Sequence, residues 1–363
     1  MSTALKNFSN PIPTSPLSSL CWGLHEGFWS WADIFIGEYP DTWDLSFPKP
    51  NNIKEAQFLC DQCDHEIFKG CFSDAFGDKL LPGMYCMPIF AIPKPHLAGL
   101  WMVTHQTAGK YSLNDMIPCD NIVSYPLDNL CHLGEFLLLM HHHTPDSPHI
   151  LFKSDISGAY CLYPMDPYWQ IKQVNCIDRQ FHVNRNCAFS GQASGCNWIL
   201  FMSLLSWITK KRGGLDLLTT YTDDSFGPDH AHNVTWYQPY WKVMPSNQVK
   251  ILQLWDEIDL PHKEKKQVSG LILTVIGIEV DMNALTMSMP KESLHDLLAA
   301  ITDFMNRHCK YTLKEWQRLA GWINWSLNVF LLLCPSLNNF MPRLVARMHP
   351  TDMWGLITQC KLI

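Results

Sequence analysis

Residues 217–227 read LLTTYTDDSFG. Four β-prone residues, Thr219, Thr220, Tyr221 and Thr222, lead into Asp223 and Asp224, and Ser225, Phe226 and Gly227 lead out. The pattern predicts a β-turn-β hairpin with two like charges at its tip. An isolated Asp-Asp pair suits any solvated turn. In a tight hairpin the two side chains point to opposite sides, so one can face a cleft while the other braces it. A second carboxylate of this kind, Asp155, ends the alternating run HILFKSD at 149–155. If both strands lie in one sheet, Asp155 and Asp223 meet at its end. Two unit charges about 4 Å apart repel by roughly 4 kcal/mol at an effective dielectric near 20. Such a cluster calls for a cation. Oxygen-only ligands imply Mg²⁺, which takes one or two carboxylates and the phosphates of a substrate. Two such ions about 4 Å apart clamp the attacking and leaving oxygens of a phosphoryl transfer.

The rest of the chain sets bounds on that reading. Its 363 residues are enough for two or three domains. With 47% hydrophobic and 17% charged residues it forms a core rather than a disordered coil. Fifteen tryptophans suggest packing surfaces or stacking platforms. The opening MSTALKNFSNPIPTSPLSSL lacks a basic-plus-apolar leader. The apolar runs WILFMSLLSWI and LNVFLLL fall short of the roughly 18–20 residues of a membrane span. Fourteen cysteines are then expected as thiols in an intracellular setting, cytoplasm or nucleus. The net charge of −7 does not by itself announce a nucleic-acid binder. The imbalance is local: the first 200 residues hold 11 basic against 19 acidic side chains, the remainder 16 against 15.

Along the chain, residues 1–50 show no sustained period. MPIFAIPKPH (87–96) reads as an edge strand between prolines. A mostly buried helix is predicted over 197–211, closed by Gly213 and Gly214. LTVIGIEV is expected as one arm of a β pair and ALTMSMP, with Leu285, Met287 and Met289 inward, as the other; DMN is the turn. Leu294, Leu297, Leu298, Ile301, Phe304 and Met305 follow helical spacing. Thr312 with Glu315 is a capping box for the next helix. The three histidines 141–143 are expected on a loop. The whole is an α+β pattern.

At this point the motifs resemble a known family. YTDDSFG (221–227) looks like the Tyr-x-Asp-Asp motif of reverse transcriptases, and SDISGAY (154–160) is similar to their first palm motif. FSGQASG (189–195) is similar to the motif that opens the next palm helix. HKEKKQ (262–267) resembles the lysine motif and VIGIEV (275–280) the primer-grip motif. The stretch from Leu81 to Pro118, with its Pro-Lys-Pro and Leu-Asn, looks like the fingers segment. The six run in the family's order, and the likeness spans about residues 78–345. The flavour is that of tyrosine-recombinase (DIRS-type) retrotransposons.

The resemblance implies a right-hand polymerase fold of fingers, palm with an antiparallel sheet, and helical thumb. It divides the chain into an irregular lead-in at 1–75, fingers at 76–150, palm at 151–290 with finger insertions, and a truncated thumb or connection at 291–363. It implies RNA-directed DNA synthesis, a nucleotidyl transfer with two Mg²⁺ ions (Mn²⁺ as a substitute). The partners would be an RNA or DNA template with primer and dNTPs, and no membrane. Asp155 and Asp223, with the Ile156 carbonyl, would hold the metals, and Asp224 would support them. Tyr160 would exclude a 2′-hydroxyl. Gly191 and Gln192 would line the nucleotide. Lys265 or its neighbour Lys266 would neutralise or protonate the pyrophosphate. Lys94 and Lys110 are fingers candidates, and Arg307, Lys310, Lys314 and Arg318 are thumb candidates for phosphate contact. Two positions depart from the pattern: Trp101 stands where an Arg usually grips the triphosphate, and His105 where an Asp is common. An indole offers one neutral donor against five charged ones. The alternative is therefore a polymerase-like protein that binds primer–template without efficient synthesis. A third reading is a zinc module built on Cys60, Cys63, His65 and Cys71.

Overall fold

The computed structural model describes residues 16–34, 38–46, 50, 52–94, 99–122, 125–306, 311–330 and 332. The chain forms two compact units, one from residues 1–127 and 156–208, the other from 128–155 and 209–363.

The first unit begins with helix α1 (Pro16–Glu26), a short strand β1 (Trp43–Asp44) and helix α2 (Ile53–Phe68). The Asn52 side chain caps α2 by accepting from the Glu55 amide. Strands β2 (Tyr85–Cys86), β3 (Ile89–Pro93) and β4 (Leu100–Thr104) follow, the last two as an antiparallel hairpin. The chain then supplies two elements to the second unit. These are helix α3 (Leu130–His143), closed at its start by a capping box of Asn129 and His132, and strand β5 (His149–Asp155). It returns to the first unit through α4 (Pro167–Gln170), β6 (Val174–Ile177), β7 (Gln180–Val183) and helix α5 (Ser194–Gly213), which crosses the unit boundary in its last turns.

The remainder belongs to the second unit. It holds β8 (Thr219–Tyr221), β9 (Asp224–His230), β10 (Val234–Tyr237), β11 (Lys242–Pro245) and α6 (Ser246–Glu257). After these come β12 (Val268–Gly270), β13 (Ile272–Val275), β14 (Ile278–Asp281) and β15 (Thr286–Ser288). Helices α7 (Lys291–Asn306) and α8 (Leu313–Ser326) end the described part, the latter on the expected Thr312–Glu315 box.

In the first unit, β1-β2-β6-β7 form a sheet. Leu59 and Cys63 of α2 pack with Phe72, Ile89 and Ile177 into one core. In the second unit a four-stranded sheet has the order β12-β5-β9-β8. Leu130, Leu133 and Leu137, spaced along one face of α3, bury against Leu151 of β5, Phe226 of β9 and the β13–β14 residues Val275, Ile278 and Val280. Burying each such side chain contributes on the order of 1.5–3 kcal/mol. This core anchors the sheet whose far end carries the carboxylates.

Several expectations change. The lead-in is not irregular throughout to residue 75, because α1 and α2 form within it. The three histidines 141–143 occupy the last turn of α3, where basic residues suit the negative end of the helix. Helix α5 starts three residues before the predicted 197, and Gly214, at φ +63°, lies just past its end. LTVIGIEV is two strands, not one: Ile276 and Gly277 both take positive φ (48° and 77°) and fold it into a tight hairpin. Leu285 sits in a left-handed turn (φ 51°), so β15 begins one residue later.

Candidate functional site

The hairpin predicted from LLTTYTDDSFG is present. Strands β8 and β9 pair antiparallel, with Tyr221 opposite Asp224 and Thr220 opposite Ser225. Thr222, at the turn, has φ +51°. A β-branched residue rarely takes that region, and holding it there costs about 1–3 kcal/mol. The Thr222 hydroxyl donates to Asp223 Oδ1 at 2.8 Å, which fixes the carboxylate at the tip. Asp224 is already in strand β9 and is not a turn residue.

The neighbouring strand completes the site. β5 pairs with β9 along its whole length, so that Asp155 is directly opposite Asp224 and Lys153 opposite Phe226. Residues two apart on a strand share a face. Leu151, Lys153 and Asp155 therefore lie on the same side as Phe226 and Asp224. That face is apolar core at one end and charged at the other. On its reverse, Ser154 and Ser225 are buried, and Gln248 of α6 donates from Nε2 to the Lys153 carbonyl (3.0 Å) and to Ser154 Oγ (3.1 Å).

Two lysines neutralise the carboxylates. Lys153 Nζ lies 2.8 Å from Asp224 Oδ2 and Lys266 Nζ 2.5 Å from Asp155 Oδ1. Lys266 ends a one-turn 3₁₀ segment, Glu264–Lys266, and the next residue, Gln267, donates to the Asp155 carbonyl at 3.0 Å. Burial pushes the Asp155 carboxyl above the usual range; Lys266 pulls it down, and the nearby Asp223 charge pushes it up again. Asp224 is likewise raised by burial, opposed by Lys153 and reinforced by Asp223 and Asp155. Three carboxylates thus sit within electrostatic reach of one another, held by two ammonium groups.

The expected residues divide between the units. Asp155, Asp223, Asp224 and Lys266 come together in the second. Lys265 is exposed, so Lys266 is the member of that pair that reaches a carboxylate. Ile156 follows Asp155 and is fully buried. In the first unit the Tyr160 ring meets Phe189 edge-on at 5.1 Å and leans on Trp198. A Cβ at Gly191 would lie 2.4 Å from Ser194 Oγ and would push that hydroxyl from its bond to the Ala188 carbonyl. The Gln192 amide donates to Asn114 Oδ1. Lys94 and Trp101 line a cavity of about 220 Å³ between α2 and the β3–β4 hairpin. Lys110 lies over the Tyr111 ring and Arg318 over Trp322. Arg307 and Lys310 lie outside the described residues.

Among the described residues, no three His, Cys, Asp or Glu side chains converge as a ready-made metal site. Cys60, Cys63, His65 and Cys71 are all described and do not converge, so the zinc reading finds no support in the geometry. Cys63 and Cys71 are buried in the α2 core, where they pack with Leu59, Phe72 and Ile89, and burial pushes both thiols up. For magnesium the donors at the hairpin fit in kind, being carboxylate oxygens; Asp155 and Asp224 are meanwhile occupied by ammonium groups.

The sequence reading missed Lys153, Gln248 and Gln267. The period of two along β5 was signal enough for Lys153, since it fixes that side chain beside Asp155.

Comparison of the sequence with protein-family models and with curated proteins finds no match. Among solved structures the chain resembles a foamy viral protease–reverse transcriptase. In a complex with double-stranded DNA the likeness has a TM-score of 0.54 at 15% identity over 89% of this chain and 51% of that one. In a complex with an RNA/DNA hybrid the figures are 0.54, 15%, 90% and 38%. A third structure, with double-stranded DNA, gives 0.54 at 14% identity over 90% of this chain and 61% of that one. The chain therefore spans between about two fifths and three fifths of the length of these structures. The mixed helix-and-sheet fold is similar to that of the reverse transcriptase in these structures.

Proposed function

We propose that the protein is an RNA-directed DNA polymerase that transfers nucleotides to a primer 3′ end. The observation that carries this is the register of one sheet: Asp155 opposite Asp224, with Asp223 at the tip of the intervening hairpin. The shared fold supports it, as do the duplex and hybrid ligands of the similar structures. Asp155 and Asp223, with the Ile156 carbonyl, would hold two Mg²⁺ ions, for which Mn²⁺ could substitute. Bound there, the ions would stabilise charge on the transferred phosphoryl group and activate the primer hydroxyl. Asp224 braces the hairpin from its salt bridge with Lys153. Lys266 offers its ammonium to the leaving pyrophosphate once it releases Asp155. Tyr160, packed between Phe189 and Trp198, blocks a ribose 2′-hydroxyl. Gly191 lets backbone approach the nucleotide, and Gln192 lines it. On the motif order, the chain stands with tyrosine-recombinase (DIRS-type) retrotransposons and acts inside the cell. Among the described residues no helix is long and apolar enough to cross a membrane.

One observation favours a second reading, a protein that grips primer–template without efficient synthesis: Trp101 replaces the expected guanidinium. Primer extension on a homopolymeric RNA template with Mg²⁺ decides. Synthesis by the native protein, lost in Asp223→Asn, supports the polymerase. Duplex binding with equal inactivity of both proteins supports the second reading.

A further inference from the structure

The two lysines at the carboxylates are not equivalent. Lys266 belongs to a single 3₁₀ turn, and its side chain is 39% exposed. Lys153 sits inside a strand paired on both sides, to Phe226 of β9 and Val268 of β12. Its carbonyl is bonded by the buried Gln248, and its side chain is 23% exposed. Its backbone cannot move without breaking the sheet. By register its neighbours on this face are Leu151, two residues along β5, and Phe226, directly opposite on β9, both buried, and its ammonium ends on Asp224 at 2.8 Å.

We propose that Lys153 is a positioning residue that decides which carboxylates take divalent metal. It claims Asp224 with a built-in cation, so Asp224 stands as a neutralised brace and the ions are left to Asp155 and Asp223. The geometry supports this division of roles. Asp224 is the carboxylate directly opposite Asp155, and nothing in the strand register separates the two as ligands. What distinguishes them is the fixed partner of one and the exposed partner of the other. A divalent ion that displaces Lys266 leaves that ammonium in solvent, where it is hydrated. One that displaces Lys153 strands an ammonium beside Leu151 and Phe226, which is costly. The inference rests on the two-metal reading of Asp155 and Asp223.

The test is Mn²⁺ binding to the full chain without nucleotide or nucleic acid, followed by the electron paramagnetic resonance of free Mn²⁺, with melting temperature as a check on folding. Lys153→Met frees Asp224 and removes a positive charge, and Mn²⁺ should bind about tenfold more tightly. Lys153→Arg keeps the charge and should bind as the native protein does. The Lys153→Met/Asp224→Asn pair is again neutral and should also match the native protein to within about twofold. Unchanged or weaker binding by Lys153→Met overturns the proposal. Loss of affinity in the double variant overturns it too, because Asp224 is then a ligand, and so does an absence of Mn²⁺ binding in every protein. If Lys153→Met fails to fold, the neutral double variant and Lys153→Arg carry the test. Primer extension by the native protein is scored separately. Extension with metal affinities that ignore Lys153 sinks this inference alone, while the expected affinities without extension sink the polymerase reading alone.

Discussion

Asp155 and Asp224 face each other as paired residues across the β5–β9 ladder, each bonded to its own lysine. Like charges in that position repel, and burial raises both carboxyls further. Such an arrangement is unfavourable for stability, and the proposed role in catalysis would account for it. Asp155→Asn keeps the shape, leaves Lys266 a carbonyl acceptor and removes the repulsion. Its melting temperature should equal or exceed that of the native protein, while nucleotide incorporation falls at least about a hundredfold. A melting temperature several degrees lower, with activity kept, would show that the ion pair is structural.

Lys266 is the largest influence holding the Asp155 carboxyl down against its burial. The proposed metal binding requires an ionised Asp155. Without the ammonium its pKa rises further, so more alkaline solution is needed to ionise it. Lys266→Met should therefore move the acid limb of the pH–activity curve to higher pH, and Lys266→Arg should leave it in place. An acid limb that stays put in Lys266→Met would show that Asp155 is not the group titrating there.

Thr222 holds the hairpin tip in a region that β-branched residues avoid. Asparagine tolerates the left-handed region and keeps a donor for Asp223. Thr222→Asn is expected to stabilise the protein by about 1 kcal/mol in denaturant unfolding. Thr222→Val keeps the strain and loses the donor, so it should be less stable than the native protein. Equal stability of both variants would show that neither the strain nor the bond matters.

His149 opens the strand that ends at Asp155. It is buried, paired across the ladder with His230, and its Nε2 is 2.8 Å from the Thr144 hydroxyl. That hydroxyl donates to the Met140 carbonyl, so Nε2 carries the proton. Burial and then the His230 and His141 charges lower its pKa from 6.5. The unfolded chain therefore binds a proton at a pH where the folded one does not. Stability from this group is complete above about pH 6.5 and is lost as pH falls through that value toward the lowered one. Melting temperature should drop between about pH 7 and pH 5.5, and the drop should shrink in His149→Gln. An equal drop in both proteins would place the acid sensitivity elsewhere.

Much of this was legible in the sequence, and what was not has physical causes. Strand β5, the Tyr221–Asp224 hairpin and the α8 cap follow from alternation and capping rules that local residues satisfy by themselves. The β13–β14 hairpin escaped because its turn places Ile276 at positive φ. Propensity argues against an isoleucine there, and its packing on the core, the flanking Val275–Ile278 pairing and the bond from Trp325 Nε1 to its carbonyl hold it. Cys60, Cys63 and His65 showed metal-like spacing, but on α2 that spacing puts Cys63 into the core. The carboxylates were legible by type. Of their ammonium partners, Lys153 could be read from the period of two along β5, whereas the bond of Lys266 to Asp155 could not, because Lys266 comes from a segment distant in the chain that the β12–β5 pairing brings alongside.

Trp101 offers the sharpest test of the proposed nucleotide site. It lies on β4 opposite Ile92, half exposed (49%), on the wall of the cavity that Lys94 also lines. A half-exposed side chain on a two-stranded ribbon can be exchanged with little loss of stability. The indole gives one neutral donor, whereas arginine gives five on a permanent charge, a match for a triphosphate. Trp101→Arg should lower the KM for dNTP about tenfold, raise extension at limiting dNTP and leave the melting temperature within a few degrees of the native value. Trp101→Lys, a point charge without the fork, should recover less. If both variants keep the native KM, the triphosphate does not lie against this face of β4, and the weakness expected of the nucleotide site must come from another residue.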